Sequence, residues 1–152
     1  MTDFVINEWL WHEARGEAGQ AAQKRALEFL AALPDSGNKI IIIEGTAFDT
    51  KAWALSRSDD QVIRLIAKSY HLRVRQNSDC CAIFDQAAVP EFPVALENDV
   101  KDDDRYLIRA QLAVPNATIV TTDGPLIQAL TKHTLPCLHR DQFFQTHFPA
   151  IF

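Results

Sequence analysis

Four isoleucines in a row, Ile40 to Ile43 after Lys39, constrain this chain more than any other feature. The run has no alternation of apolar and polar positions. A continuous β-branched run fits a strand covered on both faces, as in parallel sheets. Parallel strands need long crossover connections, usually helices. The run therefore predicts an α/β chain, and the flanking sequence supplies the helices.

Asp3–Asn7 reads as a first strand and Glu8–Arg15 as a helix start that Gly16 breaks. Gly19–Leu33 carries Ala22, Ala26, Phe29, Leu30 and Leu33 on one helical stripe and stops at Pro34. Thr46–Leu55 and Asp60–Ser69 read as helices, with Ser58 or Asp59 as a cap for the second. His71–Val74 is a candidate third strand, and Asn77–Gln86 receives no assignment. Ala87–Lys101, with Pro90 and Pro93, reads as a loop. A helix over Asp103–Ala113, a strand over Ala117–Thr121, a helix over Pro125–Lys132, a strand over Thr134–Leu138 and a helix over Asp141–His147 complete the alternation. No repeat or linker interrupts it. The expectation is one domain over residues 1–152, a three-layer α/β/α fold with a mainly parallel central sheet.

The chain has 152 residues, 47% apolar and 23% charged, with a net charge of −5. That balance argues against a broadly basic nucleic-acid footprint and leaves room for one local positive groove. Three cysteines, Cys80, Cys81 and Cys137, make a poor disulfide framework and suit a reducing compartment. MTDFVINEW has neither a basic leader nor a long apolar run, and no apolar stretch is long enough to span a bilayer. The expected location is the cytoplasm, with no membrane partner.

Chemistry concentrates in Lys101–Leu126. Asp102, Asp103 and Asp104 open an apolar-periodic helix, and the following strand ends in Thr121-Thr122-Asp123-Gly124. A tight connection between the two brings carboxylates to one edge of the sheet. Carboxylates gathered together repel unless a proton or cation lies between them. Oxygen-ligated Mg2+ or Mn2+ is the natural occupant. Taken singly, acidic residues at a helix start also serve capping and the helix dipole, and Asp-Gly suits any tight turn.

These motifs resemble the PIN domains, small α/β metal-dependent ribonucleases. Asp103 with Tyr106 and Ala110 is similar to their Asp-x-x-(apolar)-x-x-x-Ala helix. Ile119-Val120-Thr121-Thr122-Asp123 is similar to their (apolar)-Thr-x-Asp strand end. The element order matches over nearly the whole chain, and the specific motifs cover its second half. The first motif departs: Asn7, followed by Glu8, stands where the family has an aspartate. For the early acidic residue, Glu44 is the first choice and Asp49 the second.

The resemblance implies a metal-dependent ribonuclease acting on single-stranded RNA. Asp103 and Asp123 would be direct or water-bridged ligands, with Asp104 and Glu44 around them. Asn7 would hold a metal-bound water or a phosphate, and Thr121 or Thr122 would position a water. Arg105 and Arg109, four apart on one helix face, would contact phosphates together with Lys101. The alternative is a catalytically impaired module, favoured by Asn7, that binds RNA or a protein partner. A protein inhibitor and a homodimer are further expectations from the family. An unrelated Rossmann-like phosphotransfer domain ranks low, because no glycine-rich phosphate loop is present among only five glycines.

Other residues receive structural expectations. His133, Cys137 and His139 lack a fourth ligand for zinc. Trp9 and Trp11 suit base stacking, but they point to different sides of a helix, so at least one belongs to the core or an interface. Phe143 and Phe144 read as core, and Cys80-Cys81 as buried packing.

Overall fold

In β2 (Lys39–Ile43) successive isoleucines face opposite sides of the sheet, as the period of a strand requires. Ile40 and Ile42 join one apolar core, and Ile41 and Ile43 join another. A computed structural model describes residues 2–152. In it β1 (Asp3–Ile6), β2, β3 (Cys81–Phe84), β4 (Thr118–Thr121) and β5 (Cys137–His139) form a single sheet in the order β3-β2-β1-β4-β5. Every neighbouring pair is parallel.

Helices cover both faces, so the fold is a three-layer α/β/α sandwich. One face carries α1 (Trp9–Ala14), α2 (Gln20–Ala32), α3 (Ala47–Leu55), α4 (Gln61–Ser69) and α7 (Arg140–His147). They pack Trp9, Leu10, Trp11, Phe29, Leu30, Phe48, Phe143 and Phe144 onto Phe4 and Ile6 of β1 and onto β2. The other face carries α5 (Arg105–Ala113) and α6 (Gly124–Lys132). Leu107, Ile108, Ala110, Leu126 and Leu130 of these two helices cover Val5, Ile41, Ile43 and Ile119. No described helix is long and apolar enough to cross a membrane.

Several sequence expectations change, and the cap of α4 is Asp60, whose Oδ1 accepts from the Val62 and Ile63 N–H groups, rather than Ser58 or Asp59. His71–Val74 is not a strand. Tyr70–Arg75 continues α4 as a π-helical turn, which buries Tyr70 and Val74 four residues apart on one side. The third strand is instead Cys81–Phe84, inside the unassigned stretch, on the outer edge of the sheet. The last strand shifts to Cys137–His139, because Thr134 takes a positive φ of 58° and turns the chain before it. The acidic run Asp102–Asp104 forms a short 3-10 turn that leads into α5.

Both tryptophans of α1 are core residues. Trp9 Nε1 donates to the Val120 carbonyl at 3.0 Å and Trp11 Nε1 to the Phe48 carbonyl at 2.9 Å. Neither ring is open to a stacking base. Phe143 and Phe144 are buried as expected, and so are Cys80 and Cys81.

Candidate acidic site at the sheet edge

The strand order turns on β1 and β4. From β1 the chain builds outward to β2 and β3 on one side, and to β4 and β5 on the other. In open parallel sheets this reversal leaves a crevice beyond the carboxyl ends of the two central strands, where ligands bind. Asn7 and Glu8 follow β1, and Thr121 to Asp123 end β4. Part of the set that the sequence singles out thus stands at this edge.

A chain of hydrogen bonds ties the two strand ends together. Asn7 Nδ2 donates to Thr121 Oγ1 at 2.8 Å, and Asn7 Oδ1 accepts from the Trp9 backbone N–H at 3.0 Å. Thr121 Oγ1 also accepts from the Asp123 N–H at 3.1 Å. Thr121 is fully buried. Asn7 and Thr121 therefore act as a clasp between β1 and β4, with both ends of the amide engaged. Thr122 is exposed beside them.

Asp123 caps α6, with Oδ1 accepting from the Leu126 N–H at 3.1 Å. Asp104 faces the same small hollow, about 50 Å3, which is also lined by Asp99, Val100, Lys101, Pro125 and Leu126. That volume has room for a water or two. Burial pushes the Asp104 carboxyl above its ordinary range, and the charges of Asp123, Glu8 and Asp103 push it further, against a smaller opposing effect of Lys101. Tyr106 lies in the same field: burial drives its phenol up strongly, and Glu8 and Asp104 add to it. Four acidic side chains thus act on one spot, with Asp104 at its centre and Asp103 exposed at its rim.

The remaining expected residues lie elsewhere. Glu44 pairs with Arg75 at 3.7 Å. Asp49 is buried, and its carboxylate takes Arg75 Nε at 2.9 Å and Nη2 at 3.4 Å. One arginine thus holds both candidates for the early acidic residue, and neither is among the charges that act on Asp104. Arg105 pairs with Asp102 at 3.1 Å, donates to the Glu97 carbonyl and lies over the Phe92 ring. Arg109 donates to the Pro90 and Gln86 carbonyls at 2.9 and 2.8 Å. Both guanidiniums hold the 86–104 connection onto α5. His133 meets Asp99 at 2.7 Å, and His139 Nδ1 caps α7 by accepting from the Asp141 N–H.

One cation at the site has no sequence signal. Lys51 of α3 reaches across 43 residues of sequence to pair with Glu8 at 2.5 Å. Only the phase of α3 against α1 brings them together. Among the described residues, no three His, Cys, Asp or Glu side chains converge as a preformed metal cage. The donor set is instead two or three carboxylates around a water-sized hollow. Such a set fits a hydrated Mg2+, which keeps several waters and needs only one or two protein carboxylates. No protein-family model matches the chain, and a search of the curated proteins finds no match.

Proposed function

We propose that the β1/β4 crevice binds a hydrated Mg2+ or Mn2+ and hydrolyses phosphodiesters of single-stranded RNA, in the manner of PIN-like domains. The observation that carries this reading is that Asp104 and Asp123 line one water-sized hollow at the reversal point of the sheet, with burial and neighbouring carboxylates pushing Asp104 upward. Clustered negative charge in a crevice is costly without a compensating cation. Asp104 and Asp123 would hold the ion, with Glu8 beside them. Asp104 thereby takes the direct role that the sequence pattern gave to Asp103. When bound, the ion supplies positive charge where a phosphorane oxyanion develops and lowers the pKa of a bound water. Lys101, which lines the hollow, would meet a phosphate.

A second reading has its own support. Asn7 brings no charge and is fastened at both ends, and Lys51 already neutralises Glu8. These features favour a catalytically impaired module that binds RNA or a protein partner.

Cleavage of a fluorescent single-stranded RNA in the presence of Mn2+ separates the two. The nuclease reading expects turnover by wild type and a loss of about 100-fold or more in Asp104→Asn and Asp123→Asn. Asparagine caps helices as well as aspartate, so the second variant keeps α6 intact. Mn2+-dependent binding of RNA without cleavage would favour the impaired module. Equal cleavage by wild type and both variants would remove the site from the account.

A further inference from the structure

Away from the acidic edge, α2, α4 and the π-helical turn leave an apolar groove of about 490 Å3, lined by Leu27, Ala31, Leu65, Lys68, Ser69, Leu72 and Arg73. Leu65 is 56% exposed and Leu72 66%, and Val62 on the same helix is also open. Large aliphatic side chains this open, clustered and concave, mark interaction sites more often than ordinary surface. The two walls have helical spacing. Leu27 and Ala31 stand one turn apart on α2, and Leu65, Ser69 and Leu72 run along α4 into the π turn. Ala31 and Ser69 are small, so a third backbone can approach between the leucine walls. A helix laid in a groove reads its anchors at this i, i+4, i+7 interval.

The charges name the occupant. Lys68 and Arg73 line the groove, and neither enters an ion pair among the described residues. The chain as a whole carries −5, so two unpaired cations beside exposed leucines stand against its overall balance. A second copy placed on the same face by a two-fold axis would set these cations against each other. An aliphatic lining offers nothing for bases to stack on.

We propose that the α2/α4 groove docks an amphipathic helix of a partner protein, with leucine-type anchors on one face and glutamate or aspartate along its edges. The proposal is independent of the acidic crevice.

The test uses a lactam-stapled synthetic helix of about 14 residues (roughly four turns), with leucines at i, i+4 and i+7, made in glutamate-edged and lysine-edged versions. Fluorescence anisotropy on the full chain should show the glutamate-edged helix binding at least about tenfold tighter, with an affinity that falls as salt rises. Leu65→Asp and Leu72→Asp, both at exposed positions, should abolish binding. The double variant Lys68→Glu/Arg73→Glu should reverse the preference and take the lysine-edged helix. The proposal is overturned by equal affinity for both helices, by binding of neither, or by no reversal in the charge-swapped variant. It is also overturned if Leu72→Asp abolishes a wild-type dimer in ultracentrifugation, or binding to single-stranded RNA or to phosphatidylserine vesicles, since the groove would then serve a different occupant.

Discussion

At Asp104, burial and the charges of Asp123, Glu8 and Asp103 all push the same way, toward the protonated form. A carboxyl whose folded pKa lies above its unfolded value of about 3.9 favours the fold in acid and loses that contribution as pH rises through the folded pKa. Asp104→Asn should therefore stabilise the apo protein at neutral pH, by less than about 1 kcal/mol because the group is half exposed and its charges are screened. The gain should vanish in urea melts below about pH 4. A variant less stable than wild type at pH 7 would mean that the carboxylate is not under strain. Cysteine reactivity offers a second check at this scale. Burial raises the Cys81 thiol to about 12 and also raises Cys80, whereas Cys137 is partly exposed. A disulfide reagent on native protein should modify one thiol fast, Cys137, and the other two only on unfolding. The choice of Asp104 over Asp103 was not within reach of the sequence: helical counting back from the buried Leu107 lands on 104 at three and on 103 at four, and the 3-10 turn before α5 decides between them. Nor was the Lys51–Glu8 pair, because it depends on how α3 packs against α1.

Helix α1 is only six residues long and Glu8 at its start makes no side-chain cap, so its stability comes from packing, from the Asn7 and indole hydrogen bonds, and from one buried charge. Glu13, 2% exposed, pairs with Arg25 of α2 and with Arg140 of α7, the latter at 3.0 Å. Burial dominates its electrostatics and holds its carboxyl above the usual range despite both arginines. Removing the carboxylate leaves the Arg25 guanidinium over the Phe144 ring without its ion pair, while Arg140 keeps Asp141 at 3.0 Å, so Glu13→Ala should cost about 1–3 kcal/mol in denaturant unfolding, less than a fully sealed pair because both arginines can reach water. A loss under about 0.5 kcal/mol would show that the three helices are held by apolar contact alone. The elements that sequence patterning located well are those with strong local signals, the isoleucine run of β2 and the proline after α2, whereas the cap of α4 is Asp60 and not Ser58 or Asp59. The misplaced third strand has a physical cause. His-Leu-Arg-Val alternates as a strand does, but it directly continues α4, and its burial follows Tyr70 and Val74 at helical spacing. The true β3, Cys-Ala-Ile-Phe, is an edge strand whose apolar run is only four residues long with one β-branched side chain, and a run that short reads equally as a buried helix segment.

On the scale of the molecule, the order β3-β2-β1-β4-β5 determines where chemistry can occur. The alternation of strands and helices was legible from residue pattern, and so was the meeting of two acidic motifs at one sheet edge. The strand order was not, because nothing local records which parallel strands become neighbours. That order places Asn7, Glu8 and Asp123 at the reversal point, while Glu44 and Asp49 meet Arg75 instead. The charges around Asp104 also set a global expectation for pH and cation. A divalent ion at millimolar concentration should raise the thermal midpoint of wild type at neutral pH and should raise it less at pH 4, where protons compete for the same carboxylates. A midpoint unchanged by the ion at both pH values would leave the crevice without a cation role. The most direct measurement is a calorimetric titration of Mn2+ into wild type, Asp104→Asn and Asp123→Asn. The account predicts one saturable site in wild type, weakened by about tenfold or more in each variant. No site in wild type, or a site of equal affinity in all three proteins, would contradict it.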